Sequence, residues 1–432
     1  MFNRFFHSEV SGSIVLMACS IVALVWANSP WSQGYVDFTQ IKVGFSWGDA
    51  SLTLSLQHWI NDALMAIFFF VVGLEVKREI GIGQLSTLRA AALPVSAAVG
   101  GMLIPAAFYF AMNAGGPGVH GWGIPMATDI AFALGILALF GSRAPIGLKV
   151  FLTALAIADD IGAVIVIAIF YTASLKLGAL AVAAIFMLLI VGARVVGIRR
   201  IGVYLILAAG VWLSVLVSGI HATVAGILVA MLVPIRAKIE PENFIKRARS
   251  SIAELELANL THDSMVDDKQ QLDALYDMHA ASGDMIPPGI ALEHHLHPVQ
   301  SFLILPLFAL FNAGVYLGGD ALSRVTDPIG LGIFVGLIVG KQIGIVGFSW
   351  IAIKSGIADL PEGVNWNQIW GASCLAGIGF TMSLFITELA FDDPVYIATA
   401  KLGILVASLI AGVLGYWLLS RSLPKVATSG SG

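Results

Sequence analysis

Asp129, Asp159, Asp160 and Lys341 each lie within a long apolar stretch. If those stretches cross a bilayer, a charge at the centre of one costs about 2.5 to 3.5 kcal/mol, so each is expected to face a cavity or a partner. Asp159 and Asp160 are adjacent, and on a helix about 100° separates neighbouring side chains, which gives the two acids different surroundings and different tasks. Removal from water raises a carboxylate's pKa, a like charge alongside raises it further, and a nearby lysine lowers it. Such a cluster can exchange protons near neutral pH. A hard monovalent cation prefers oxygen ligands, so the same carboxylate holds either a proton or a metal ion, and that competition is itself a means of exchange. A purely structural ion pair between Lys341 and one aspartate is the plainer reading, but it leaves Asp129 unexplained.

The elements that must hold these residues are membrane helices. With 58% hydrophobic and 12% charged residues over 432 positions and a mean hydropathy of +0.89, the chain has more apolar surface than one aqueous core hides. A spanning helix needs roughly 20 apolar residues. That rule predicts about twelve spans, near 11–28, 58–76, 90–113, 120–140, 146–172, 177–194, 201–218, 220–235, 298–317, 329–353, 366–387 and 395–420. The short junctions near 118 and 219 are where two spans are most easily merged. The first apolar run follows Arg4 as in a signal peptide, but its flank is a poor cleavage site, and a retained span is expected. With a cytoplasmic N-terminus, only Lys42, Lys176, Arg324 and Lys401 of the 23 basic residues fall outside, and Lys341 lies within a span. That bias places both termini in the cytoplasm.

Two segments fall between spans. Residues 30–57 alternate polar and apolar positions on both sides of Trp47-Gly-Asp49 and read as a small external β-hairpin. It is either a surface flap or the contact of a homodimer, and a homodimer is expected. Residues 236–297 hold much of the charge, with helix-like stretches near 243–259 and 267–280 and a breaker at Pro287-Pro288, and read as an extended cytoplasmic loop. A net charge of -4 offers no basic field for nucleic acid. Cys19 and Cys374 lie far apart in apolar runs, so no disulfide framework is signalled.

Two spans carry weak points. Pro125 in Gly123-Ile-Pro-Met-Ala-Thr-Asp-Ile130 frees a backbone carbonyl, and Gly377-Ile-Gly-Phe-Thr381 interrupts span eleven. Spans three to five and ten to twelve run in opposite senses, so the interruptions are counterparts in an inverted repeat. The fold class expected is thus an all-α polytopic membrane protein with two discontinuous helices. Opposed half-helix ends carry about half a unit charge each, which Asp129 and Lys341 are suited to neutralise. Close packing through the span-eleven glycines is the blander alternative.

Ala127-Thr-Asp-Ile-Ala-Phe-Ala-Leu-Gly135, Ala154-Leu-Ala-Ile-Ala-Asp-Asp-Ile-Gly162, Val72-Gly-Leu-Glu-Val-Lys-Arg-Glu79, Ser218-Gly-Ile-His-Ala-Thr-Val-Ala-Gly226, Leu292-Glu-His-His-Leu-His-Pro298 and Gly377-Ile-Gly-Phe-Thr-Met-Ser383 resemble the signature segments of the NhaA family of sodium/proton antiporters. The resemblance implies an electrogenic, pH-regulated exporter of sodium (or lithium) in the bacterial inner membrane, without a cofactor, whose cargo is Na+ and H+. It implies that Asp160 is the principal ion and proton carboxylate, that Asp159 pairs with Lys341, and that Thr128 and Asp129 line the crossing of the broken helices. Asp160, Asp159 and Thr128 would supply oxygens to the ion.

Glu75, Arg78 and Glu79 end span two on the face where Glu293, His294 and His297 open span nine. The two groups are placed to meet, and histidine titrates near pH 6.5, which fits the family's pH-sensing funnel; a solvated rim is the alternative. His221 reads first as a hydrogen-bonded packing residue. Asp62 either lines an exit path or caps a helix. The extended loop departs from the family, in which that connection is short. An intramembrane aspartyl protease also needs two buried acids, but Tyr276-Asp277 lies in the charged loop and Leu317 precedes Gly318-Gly-Asp320 near an external end. A passive cation channel is the remaining alternative, though it has no need of a lysine competing at the acid.

Overall fold

The structure, a computed structural model, describes residues 9–47, 50–83, 85–172, 175–257, 269–318 and 321–424. The charged positions 4 and 425 and the hairpin turn at 48–49, all used in the sequence reading, lie outside the described residues. In chain order the elements are α1 (Glu9–Ala27), α2 (Ser32–Thr39), β1 (Lys42–Trp47), β2 (Ala50–Ser55), α3 (Leu56–Ile82), α4 (Leu88–Asn113), the 3-10 helix α5 (Pro117–Met126), α6 (Ile130–Ala138), α7 (Ile146–Phe170), α8 (Leu177–Val196), α9 (Ile201–Ser218) and α10 (Ala222–Leu232). They continue with α11 (Pro241–Leu257), α12 (Lys269–Met285), α13 (Pro288–Val299), α14 (Leu305–Asn312), α15 (Ala321–Thr326), α16 (Pro328–Lys354), α17 (Trp366–Ala376), α18 (Phe380–Ala390) and α19 (Pro394–Ser422).

The chain is a helical polytopic membrane protein. Among the described residues nine helices are long and apolar enough to cross a bilayer, and the bent pair α17–α18 makes ten. The short α10 and the composite run from α13 through a π turn at Gln300–Ile304 into α14 complete the twelve expected. Neither risky junction merges two spans. Gly115 (φ 77°) and Gly219 (φ 89°) turn the chain sharply at both, in a backbone region that glycine enters without a Cβ penalty. The direction of travel alternates, so the described ends of α1 and α19 share one face, called here the terminal face, and the hairpin lies at the other.

Local chemistry sets the helix starts. Asp327 and Asp393 cap α16 and α19 through Ile329 N–H and Val395 N–H, each followed by a proline at the first helical position, where its fixed φ suits a helix and no N–H is needed. Asn365 and Gln368 cap α17 reciprocally.

Two expectations shift in detail. Residues 36–39, read as part of the first strand, belong to the helix Ser32–Thr39, because Tyr35 and Phe38 both reach Trp26, with ring centroids 5.5 and 5.7 Å away. A spacing of three brings two side chains to one partner on a helix, whereas a strand sends them to opposite faces. The strands are instead Lys42–Trp47 and Ala50–Ser55, antiparallel, with Lys42 opposite Ser55. The ninth span begins at Pro288 rather than near 298: Pro287-Pro288 ends α12 and at once starts α13. The pair α11–α12 is tied by Asp284 to Lys238 (3.4 Å) and Arg247 (4.0 Å), while positions 258–268, which held the ends of both expected helices, lie outside the described residues.

The bundle closes around α4 and α16, which pack along each other. Their backbones meet at Gly100 and Gly344, where a Cβ on Gly344 would press into the Gly100 carbonyl closer than any real carbon comes. Such contact between backbones is how small residues join membrane helices. Gly344→Val is expected to force the two helices apart at a cost of about 1–3 kcal/mol or more, read as a lower unfolding midpoint in detergent. An unshifted midpoint would show that the contact bears no weight.

Candidate functional site

The site is built where two helices stop and restart. Pro125 has no N–H to continue a helix, and α5 gives way to the extended residues 127–129 before α6 begins. On the other side, α17 and α18 meet at 43° across 377–379. Gly377 has to be glycine, since a Cβ there would lie 2.6 Å from the Leu337 carbonyl oxygen. Each interruption leaves orphan N–H and C=O groups in a buried place.

They are served across the crossing. Asp129 Oδ1 accepts from Phe132 N–H (3.1 Å) at the start of α6. Its Oδ2 accepts from Thr381 N–H (3.0 Å) and from the Thr381 hydroxyl at the start of α18. One carboxylate therefore caps two helix N-termini, where negative charge is favoured. Asp129 N–H donates to Ile378 O (2.6 Å), the Thr128 hydroxyl to Ala376 O (2.8 Å) at the end of α17, and the Ser383 hydroxyl to Ile124 O (2.7 Å) near the end of α5. Hydroxyls of Tyr109 and Tyr171 take up Gly118 O and His120 O (2.7 and 2.8 Å), which supports a 3-10 run far longer than that geometry usually sustains.

Lys341 enters from α16, directly after a π turn at Gly336–Gly340; π turns recur at functional sites, where the extra residue in the turn rotates the next side chains to a new direction. Its ammonium is fully buried and donates to Asp159 Oδ2 (2.6 Å) and to the Thr128 hydroxyl (2.9 Å). A cation thus reaches the C-terminal end of α17 through one hydroxyl, matching the sign of that helix end. Among the described residues the other oxygen of Asp159 accepts no well-formed hydrogen bond, although Thr128 also acts on this carboxylate. Asp160 is 3% exposed, and among the described residues no hydrogen-bond donor reaches its carboxylate. Among the charges acting on it are Asp159, Glu75, Asp129 and Lys341.

Residues 3–419 match the family described as Na+/H+ antiporter 1. The Na(+)/H(+) antiporter NhaA of Oleidesulfovibrio alaskensis is 47% identical over 422 residues, covering 97% of this chain and 93% of that protein. The Na(+)/H(+) antiporter NhaA of Escherichia coli (strain UTI89) is 45% identical over 429 residues, covering 98% and 99%. The chain belongs to this family.

In this member of the Na+/H+ antiporter 1 family the groups expected at the terminal face meet in part. Arg78 bridges Glu79 (2.7 Å) and Glu293 (2.9 Å), joining α3 to α13, and Glu75 lies one turn further in on α3. His294 is exposed and stacks edgewise on His295 at 5.9 Å, and His297 is exposed as well, so neither joins the Arg78 cluster. At the hairpin face, Asp62 and His221 line one cavity of about 550 Å³.

Several participants escaped the sequence reading. Thr381 and Ser383 stood inside a recognised segment, but their partners lie 252 and 259 residues away. Lys77, read as a basic residue of the inner rim, donates to Ala230 O (3.4 Å), Met231 O (2.7 Å) and Val233 O and so caps the end of α10. A lysine one residue from a helix-terminal Arg-Glu pair was the available signal, and it does not distinguish a cap from an interfacial anchor.

Proposed function

We propose that the chain is a secondary antiporter that moves sodium, or lithium, out across a bacterial inner membrane in exchange for protons. The observation that carries this reading is the Asp160 carboxylate, buried yet unbonded, next to an aspartate whose charge Lys341 already balances. A buried anion without a partner is costly, so Asp160 holds either a proton or a cation at all times. Sodium binding expels the proton, and protonation expels sodium. Asp159 and Thr128, which share the Lys341 ammonium, would add oxygens to the ion, and the Lys341–Asp159 contact offers a second group whose protonation changes in the cycle. Two titrating groups per monovalent ion make the exchange electrogenic, with more protons entering than sodium leaving.

The same reading gives the remaining residues their parts. Asp129 and Lys341 balance the helix ends at the crossing while the halves reorient. Arg78, Glu79 and Glu293, with Glu75 further in and His294 at the rim, form the pH-responsive entrance, which puts the terminal face and both termini in the cytoplasm. Asp62 and His221 line the passage on the far side. A homodimer through the hairpin, where Val43 is exposed, belongs to this reading.

Inside-out vesicles holding a pH gradient test it. Sodium or lithium added outside is expected to collapse the gradient in vesicles containing the protein, and potassium is not. A passive cation channel predicts sodium flux that continues when no proton counter-flux is available, and that result would replace the antiporter.

A further inference from the structure

A second lysine–acid constellation stands at the other end of α18. Lys401 of α19 and Glu388 of α18 form an ion pair at 2.7 Å, with side chains 9% and 19% exposed. Among the described residues no hydrogen-bond donor satisfies the buried Glu388 Oε1, and the Lys401 ammonium is the charge paired with it. The pair lines the hairpin-face cavity of about 550 Å³ together with His58, Asp62 and His221, and with Gln57 and Asn61, whose amide oxygens accept from Gln40 and Asn312. Phe385, one turn before Glu388, also lines the cavity and packs on Phe69 and Phe308 at 5.5 and 6.2 Å.

The chemistry repeats that of the buried site: a lysine neutralises one acid while a second acid, Asp62, lines the same cavity. Removing either member of a buried pair is costly because a charge is left alone, whereas replacing one cation by another conserves the charge balance. A monovalent cation in the cavity can take the place of Lys401 on Glu388 provided the displaced ammonium turns out into the cavity, which Lys401 also lines. The consequence reaches inward, because α18 is a single helix with Glu388 near one end and Thr381, bonded to Asp129, at the other.

We propose that Glu388 is a second cation station on the hairpin side, which receives the transported ion as Lys401 is displaced, and that α18 transmits the exchange to the crossing. The proposal rests on the antiport reading above and adds a residue pair that reading does not need.

The test follows Lys401 itself. The full-length protein in proteoliposomes is treated from the hairpin face with a small membrane-impermeant amine reagent, and modification of Lys401 is quantified by mass spectrometry. Buffers contain sodium or N-methylglucamine at equal ionic strength. In the pair the Lys401 side chain is only 9% exposed and its nitrogen lies against the carboxylate, so displacement by sodium is expected to raise the labelling rate severalfold. Glu388→Gln is expected to label fast in both buffers, and Glu388→Asp is expected to keep the sodium response. Sodium-independent labelling of the wild type overturns the proposal, and that comparison requires no variant to fold. So does a Glu388→Gln protein that retains the response. Proton flux in the same proteoliposomes separates the two readings: absent flux with a sodium-responsive Lys401 sinks antiport and leaves the station, while normal flux with an indifferent Lys401 does the reverse.

Discussion

Asp160→Asn is expected to abolish sodium-dependent proton flux and to weaken sodium binding to the purified protein by at least about a hundredfold, corresponding to the ~3 kcal/mol that a contact to a charged group contributes. Asparagine has nearly the shape of aspartate and keeps one oxygen, so packing around the crossing is preserved. It has no charge to balance a cation and no proton to surrender. Among the described residues the Asp160 carboxylate has no hydrogen bond to lose, so the substitution removes exchange chemistry and little stability. Calorimetric titration with sodium, alongside the vesicle assay, measures both effects. Wild-type sodium affinity in this variant would falsify the assignment of Asp160 as the carrier.

Asp129→Ala has the opposite signature. Deletion of that carboxylate strands Phe132 N–H, Thr381 N–H and the Thr381 hydroxyl in a place where Asp129 itself is 2% exposed. Each buried group left without a partner costs about 1–3 kcal/mol, and two helix N-termini lose their counter-charge. A loss of about 3–5 kcal/mol is expected, with a lower unfolding midpoint in detergent and little transport from the fraction that folds. Asp129→Asn retains an acceptor oxygen and is expected to fall between the alanine variant and the wild type. An alanine variant as stable as the wild type would show that the helix starts are capped by something else.

The acids were readable in the sequence because charge within an apolar span is rare and costly, which makes Asp129, Asp159, Asp160 and Lys341 conspicuous without any knowledge of contacts. The spans were readable for the same energetic reason. The hidden part depends on which surfaces meet. Glu388 and Lys401 each sit near a helix end, where a charged side chain is ordinarily solvated, and only the packing of α18 against α19 turns them into a buried pair. Lys77 resembled an anchor at the rim until the end of α10 was seen above it. The helix at 32–39 was concealed by an apolar–polar alternation that suits a strand, and it is the position of Trp26 that decides otherwise. The start of span nine is masked in the sequence because Glu293, His294, His295 and His297 lower the hydropathy of its first turns, although Pro288 supplies a good helix start.

Asp129 grips the opening turns of both interrupted helices with one side chain, and so the two work as a single hinge pin rather than as independent parts. Grafting residues 117–138 or 366–390 alone from a relative would bring in a mismatched half, whereas transplanting them as a set carries the joint intact. Designers of chimaeric exchangers should treat these distant stretches of chain as one heritable piece.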